Sequence, residues 1–206
     1  MGATEMRRVT FWLLPEAALA TELAGVMEAV RHSGVGAFRE ALHPSFAPHV
    51  TLGSAALPDD LDVAHLLVEV GRRHGPQRLA VAGTLSAPDP EDEDWTLWRS
   101  LALDLVPSAS LLALTAGLAH RLDADLVTPE IPHISLHYSR LGRTAKLRLL
   151  EQLGPPDLVH RWPSMGFDRV AVVEERTARD DELERLAGWI PKHVTPLLGT
   201  PTHIPA

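Results

Sequence analysis

The sequence predicts an α+β fold of two similar β-sheet lobes, related by a pseudo-twofold axis, with helices outside and a central cleft. Three observations lead there. The order strand, helix, strand, helix, strand occurs twice along the chain, and the middle strand of each half carries the same five-residue pattern. The chain has 206 residues, 45% hydrophobic and 22% charged, which suffices for a substantial core in one domain. We expect that domain to span 1–206, with lobes drawn from roughly 1–90 and 91–175 and a proline-rich tail over 176–206.

In the first half, the apolar run Val9–Leu14 ends at Pro15 and reads as a strand. From about Glu16 to Arg31, Leu19, Leu23, Val26 and Val30 recur at helical spacing. His49 to Gly53 alternates polar and apolar, as a half-buried strand does. Asp59 and Asp60 then open a helix carrying Leu61, Leu66, Leu67 and Val70, and Arg78–Ser86 is the third strand.

The second half restarts after the acidic run Glu91–Asp94, which reads as a solvated turn. Thr96–Val106 alternates as a strand, Ser108 caps a helix running towards Leu122, and His133–Tyr138 is the next strand. Gly142–Leu153 fits a helix with Leu147, Leu150 and Leu153 on one side, and Asp168–Glu174 fits a strand. In the tail, Leu183, Leu186 and Trp189 suggest a short helix, after which Pro191, Pro196, Pro201 and Pro205 should prevent regular structure.

The repeat carries chemistry. Pro48-His49-Val50-Thr51-Leu52 matches Pro132-His133-Ile134-Ser135-Leu136 as Pro, His, aliphatic, hydroxyl, Leu. Side chains on a strand alternate between faces, so His49 and Thr51 share one face while Val50 and Leu52 point to the core; the second copy behaves alike. Two lobes facing each other would present two imidazoles and two hydroxyls to one ligand. An imidazole titrates near neutrality, so one histidine can take a proton from water while its partner gives one to a departing alkoxide. The hydroxyls of Thr51 and Ser135 can donate to non-bridging phosphate oxygens, where charge grows in the transition state. An isolated histidine in a strand is more often a buried residue satisfied by a backbone carbonyl; the pairing is what argues for a site. A proline before each histidine also has a plain reading, as the first residue of a strand.

Charge narrows the ligand. The formal net charge is −8, and of the 19 basic residues only Lys146 and Lys192 are lysines. That argues against a long phosphate-tracking groove and suits a small anion in a local pocket. The absence of cysteine excludes disulfides, thiolate metal sites and a cysteine nucleophile. Arg7 and Arg8 precede an apolar run too short for a signal-peptide core or a membrane span, so a cytoplasmic protein without membrane association is expected.

These residues resemble the 2H phosphoesterase superfamily, defined by two His-x-Ser/Thr-x motifs, and especially its cyclic phosphodiesterase branch. Phe46-Ala47-Pro48-His49-Val50-Thr51-Leu52 and Ile131-Pro132-His133-Ile134-Ser135-Leu136-His137-Tyr138 are similar to that branch's two motif blocks, and Phe11-Trp12-Leu13-Leu14-Pro15 to its opening strand. The resemblance implies a bilobal α+β fold and metal-independent hydrolysis of a cyclic phosphate to a monoester. It makes His49 and His133 catalytic, sets Thr51 and Ser135 on the phosphate, and calls for no metal and no cofactor. Nucleoside 2′,3′-cyclic phosphates, ADP-ribose 1″,2″-cyclic phosphate and the 2′,3′-cyclic ends of RNA are all substrates within the superfamily, and a monomer is expected. Tyr138 matches an aromatic position near the ligand in that family, whereas strict alternation sets it opposite His133. His137 shares the parity of His133 and Ser135 and is expected at the rim.

Rival readings stand beside this one. A metal hydrolase would need a carboxylate at ligand spacing, which neither motif brings, and no His-Glu-x-x-His, glycine-rich phosphate loop or Gly-x-Ser-x-Gly elbow occurs. RNA-end processing, including 2′-5′ RNA ligase-like chemistry, and a non-catalytic nucleotide binder on the same fold are the alternatives. His193-Val194-Thr195 repeats the local pattern in the tail and reads as coincidence. His65, His74 and His120 fall on expected helices, without a motif partner.

Overall fold

The computed structural model describes residues 6–32, 46–86, 99–139, 148, 151, 160–174 and 189–200. Strand β1 (Met6–Pro15) turns Val9, Phe11 and Leu13 into the main core, and Trp12 and Leu14 into a second cluster on the opposite face. Helix α1 (Ala17–His32) buries Leu23, Met27 and Val30, one stripe at i, i+4 and i+7. Strand β2 (Val50–Pro58) carries the first motif. Helix α2 (Val63–Arg73) starts at Asp62, whose carboxylate accepts from the His65 backbone N–H at 3.0 Å; the cap therefore lies just past the expected Asp59-Asp60 opening.

Strands β3 (Gln77–Ser86) and β4 (Arg99–Leu105) lead to helix α3 (Ala109–Leu122), where Ser108 accepts from the Leu111 N–H at 3.1 Å, the cap expected from the sequence. Such a cap contributes about 1 kcal/mol. Leu111, Leu114, Leu118 and Leu122 form its buried stripe. Strand β5 (His133–Ser139) carries the second motif, and β6 (Ser164–Glu174) begins earlier than the Asp168 expected. The helix expected over Gly142–Leu153 lies outside the described residues, except that positions 148 and 151 are helical.

The tail departs from expectation. His193–Pro196 forms a seventh strand, β7, on the edge of β6, with Val172, Ala171, Val170 and Arg169 opposite His193, Val194, Thr195 and Pro196. Proline is compatible with this place because Pro196 ends an edge strand, where a missing N–H leaves no ladder bond unmade. The close approach of the tail to α2 needs Gly71: a Cβ there would lie 2.4 Å from the Pro196 carbonyl oxygen. Trp189 is not helical, and Leu183 and Leu186 lie outside the described residues.

The strands form one antiparallel sheet in the order β1-β2-β5-β4-β3-β6-β7, with β1 also paired to β6. The pairings obey an approximate twofold. β1 lies between β2 and β6, as β4 lies between β5 and β3, and β3 pairs with β6. The third strand of each half thus adds to the sheet of the other half, so each lobe contains strands from both. The core that helices α1, α2 and α3 cover is one continuous cluster, holding Leu23, Leu67 and Leu114 from the helices with Phe11, Leu103 and Phe167 from the sheet. The α+β expectation holds. Among the described residues no helix is long and apolar enough to cross a membrane.

Candidate active site

The two motif strands meet at one pair of residues, Val50 opposite Ile134. These occupy the same place in the two motifs, so the twofold runs between them, and both are buried. An antiparallel register through that pair sets His49 level with Ser135 and Thr51 level with His133. Each histidine thereby faces the hydroxyl residue of the other motif. With a single pair joining them, β2 and β5 diverge from this point and open a cleft.

The prolines set the ring orientation. His49 Nδ1 lies 2.7 Å from the carbonyl oxygen of Ala47, and His133 Nδ1 lies 2.8 Å from that of Ile131. A carbonyl only accepts, so both Nδ1 atoms carry hydrogen and donate. In both motifs the intervening proline brings the carbonyl two residues upstream back to the ring. Each Nε2 is left to accept a proton when the ring is neutral, or to give one when it is charged.

Both motif strands also bulge at the same place. Phe11 pairs with Gly53 and Trp12 with Thr51, leaving Leu52 as the extra residue; Leu101 pairs with His137 and Ala102 with Ser135, leaving Leu136. This overturns the rim position expected for His137, which is 2% exposed and takes the position of Gly53 in the first motif. The backbone of Tyr138 pairs with Ser100.

The environments of the two histidines differ. His49 is 4% exposed and lies flat on Trp12, ring centroids 3.6 Å apart and planes 7° from parallel. Trp189 and Phe46 approach it edge-on at 6.3 and 6.0 Å. The counterpart of Trp12 on β4 is Ala102, and His133 is half-buried. Leu13 and Leu103 oppose Val50 and Ile134, so Leu14 corresponds to Asp104, which is in register with His133. The aromatic cage belongs to one histidine and a carboxylate neighbours the other. Burial pushes the His49 imidazole down to about 4, against its hydrogen bond to Ala47, and the charge of His133 lowers it further. The two rings therefore sense each other's charge.

Of the residues singled out in the sequence, His49, Thr51, His133 and Ser135 come together around the Val50–Ile134 pair, with Ser135 buried and Thr51 half-buried. Sequence reasoning missed the aromatic cage. Trp12 was legible, since it alternates with core residues on the first strand; Trp189 sits in irregular tail and carries no periodic signal. The tail's His193 and Thr195 oppose Val172 and Val170, core residues, whereas Ala171 and Val173 share the face of Trp12. That pair is therefore on the wrong face for the cleft. Among the described residues, no group of three or more His, Asp or Glu could hold a metal ion.

No protein-family model matches the sequence, and no curated relative matches it. Solved structures do. Over 94% of this chain and 99% of the other, the fold is similar to that of E. coli LigT complexed with 3′-AMP, at TM-score 0.53 and 18% identity, and of LigT complexed with NADP+, at 0.51 and 17%. LigT in apo form aligns at 0.50 and 19%, over 94% of this chain and 95% of that one. The chain has the LigT fold, which is the fold that the 2H resemblance implies.

Proposed function

We propose that the chain is a cyclic phosphodiesterase that opens a nucleoside 2′,3′-cyclic phosphate or ADP-ribose 1″,2″-cyclic phosphate to a phosphomonoester, with His49 and His133 as its acid–base pair. The twofold meeting of the two motifs, with both Nδ1–H groups committed to carbonyls, carries this reading. It leaves two Nε2 atoms for proton transfer at one ligand.

The asymmetry of the site supports one assignment of the roles. His49, caged and held neutral by burial, takes the proton from the attacking water. His133, more open and neighboured by Asp104, gives its proton to the leaving alkoxide. The P–O bond to that alkoxide breaks as the P–O bond to water forms, and the two histidines end in exchanged protonation states. Thr51 and Ser135 donate to the non-bridging oxygens, and Tyr138 serves the substrate near the second motif. The LigT complexes with 3′-AMP and NADP+ support a nucleotide ligand in this fold.

The test is direct. Incubated with a 2′,3′-cyclic nucleotide and EDTA, the protein should release a nucleoside monophosphate at the rate seen without EDTA. Proton transfer and hydrogen bonding replace a Lewis acid in this scheme. Activity lost to EDTA and restored by Zn²⁺ or Mn²⁺ would move the chain to a metal-dependent mechanism.

A further inference from the structure

Beside Thr51 lies a pocket of about 200 Å³ that the two-histidine scheme does not use. One wall is the first half of α3, through Leu111, Leu112 and Thr115; the other is the segment Thr128-Pro129-Glu130 that leads into the second motif. Thr51 and Pro132, one residue from each motif block, also line it, so it borders the two motifs at those residues. The segment is held in place by paired backbone bonds of 2.9 Å between Ser54 and Val127, and by the Leu105 N–H on the Pro132 carbonyl at 2.8 Å. The pocket is therefore built of backbone-anchored parts.

Its chemistry selects an occupant. Pockets for drug-sized ligands hold about 300–1,000 Å³, so this one admits roughly a single ring system. Among the described residues no lysine, arginine or histidine lines it, so none of them offers a cation to a second phosphate there. The walls combine leucine and proline carbons, suited to the faces of a flat heterocycle, with the threonines Thr51, Thr115 and Thr128, and among the described residues that line it Glu130 is the charged one. A carboxylate accepts two parallel N–H bonds well and offers no donor at neutral pH.

We propose that this pocket binds the base of the substrate nucleotide, and that Glu130 favours a base presenting two adjacent N–H donors, guanine above all. The inference rests on the cyclic-nucleotide reading given above. Guanine's N1–H and N2–H match the two carboxylate oxygens. Uracil offers a single N–H between two carbonyls, which the carboxylate repels.

The experiment compares kcat/KM for 2′,3′-cyclic GMP, 2′,3′-cyclic UMP and the base-less methyl riboside 2′,3′-cyclic phosphate, in the full chain, Glu130→Gln and Leu112→Trp. Leu112 and Glu130 are both exposed, so neither change empties the core. We expect the guanine substrate to exceed the uracil one by at least ~10-fold, as a site built to pair with donors discriminates. Glu130→Gln should remove most of that ratio, Leu112→Trp should raise KM for both nucleotides, and the base-less substrate should respond to neither. An unchanged guanine-to-uracil ratio in Glu130→Gln together with unchanged KM in Leu112→Trp overturns the pocket and leaves the phosphodiesterase reading intact. If no cyclic phosphate is opened at all, that reading fails instead. Equilibrium titration with 2′-GMP and 2′-UMP then decides the pocket alone: preference for 2′-GMP lost in Glu130→Gln sustains it, and equal affinity overturns it.

Discussion

At the scale of single residues, the two histidines are alike in sequence and unlike in surroundings, and that difference has measurable consequences. Replacing His49 or His133 by Ala should lower turnover by at least ~100-fold per site, since a positioned general acid or base commonly contributes that much. Unchanged circular dichroism must accompany the loss; full activity in His133→Ala would sink the pair. The buried His49 also links stability to pH. Its folded pKa of about 4 lies below the 6.5 of an unfolded histidine, so between these values the unfolded chain binds more protons than the folded one. The His49 contribution to stability is thus present above about pH 6.5 and is lost as pH falls towards 4, amounting to about 3 kcal/mol over that window. Thermal unfolding from pH 7 to 4 should show this decline, and His49→Gln should flatten it. With His49 as the proposed base, the acid limb of kcat/KM should fall well below 6.5, because that imidazole stays unprotonated to about pH 4.

At the scale of elements, what was legible in the sequence was whatever a local pattern dictates. The apolar run Val9–Leu14, the helical stripe of Leu23 and Val30, and the Ser108 cap each stand where the structure has them. The bulges were not legible: Leu52 and Leu136 are apolar where alternation wants apolar, and only the register with β1 and β4 reveals that each is an extra residue. A trace remains in Gly53, whose φ of +156° suits glycine. A Cβ at that position would lie 3.1 Å from Leu126 Cβ and 3.2 Å from the Val127 carbonyl oxygen, on the segment that feeds the second motif. Gly53→Ala should therefore cost about 1–2 kcal/mol through strain alone. It should also lower kcat/KM further, by displacing His133 relative to His49. Denaturant unfolding and steady-state rates on the same sample check this, and a variant as stable and as active as the parent would show that the bulge tolerates a side chain. The seventh strand escaped notice for a related reason. Four residues between prolines give no periodicity, and their pairing is decided by the free edge of β6, which is distant in sequence.

At the scale of the whole molecule, the twofold relates β1 to β4, β2 to β5 and β3 to β6, and the tail is what lies outside it among the described residues. The tail adds β7 to the edge of β6 and brings Trp189 edge-on to both Trp12, at 6.1 Å, and His49, at 6.3 Å. A duplicated scaffold by itself would give two equivalent histidines. Acid–base catalysis needs them in opposite states at once, so something must break the symmetry. Trp12 against Ala102, Asp104 against Leu14 and the Phe46 ring do part of this within the repeat, and Trp189 adds to it from outside. Trp189→Ala keeps β7 and removes only the ring, which separates the electrostatic role of the tail from its role in stability. With less apolar cover, His49 should be better hydrated, and its pKa should rise from about 4 towards 6.5. The acid limb of kcat/KM should move upward with it, so the variant should lose activity at pH 5 and lose far less at pH 8. An acid limb unmoved by Trp189→Ala would assign the burial of His49 to Trp12 and Phe46 alone, and the tail would then serve β6 and α2 without touching the chemistry.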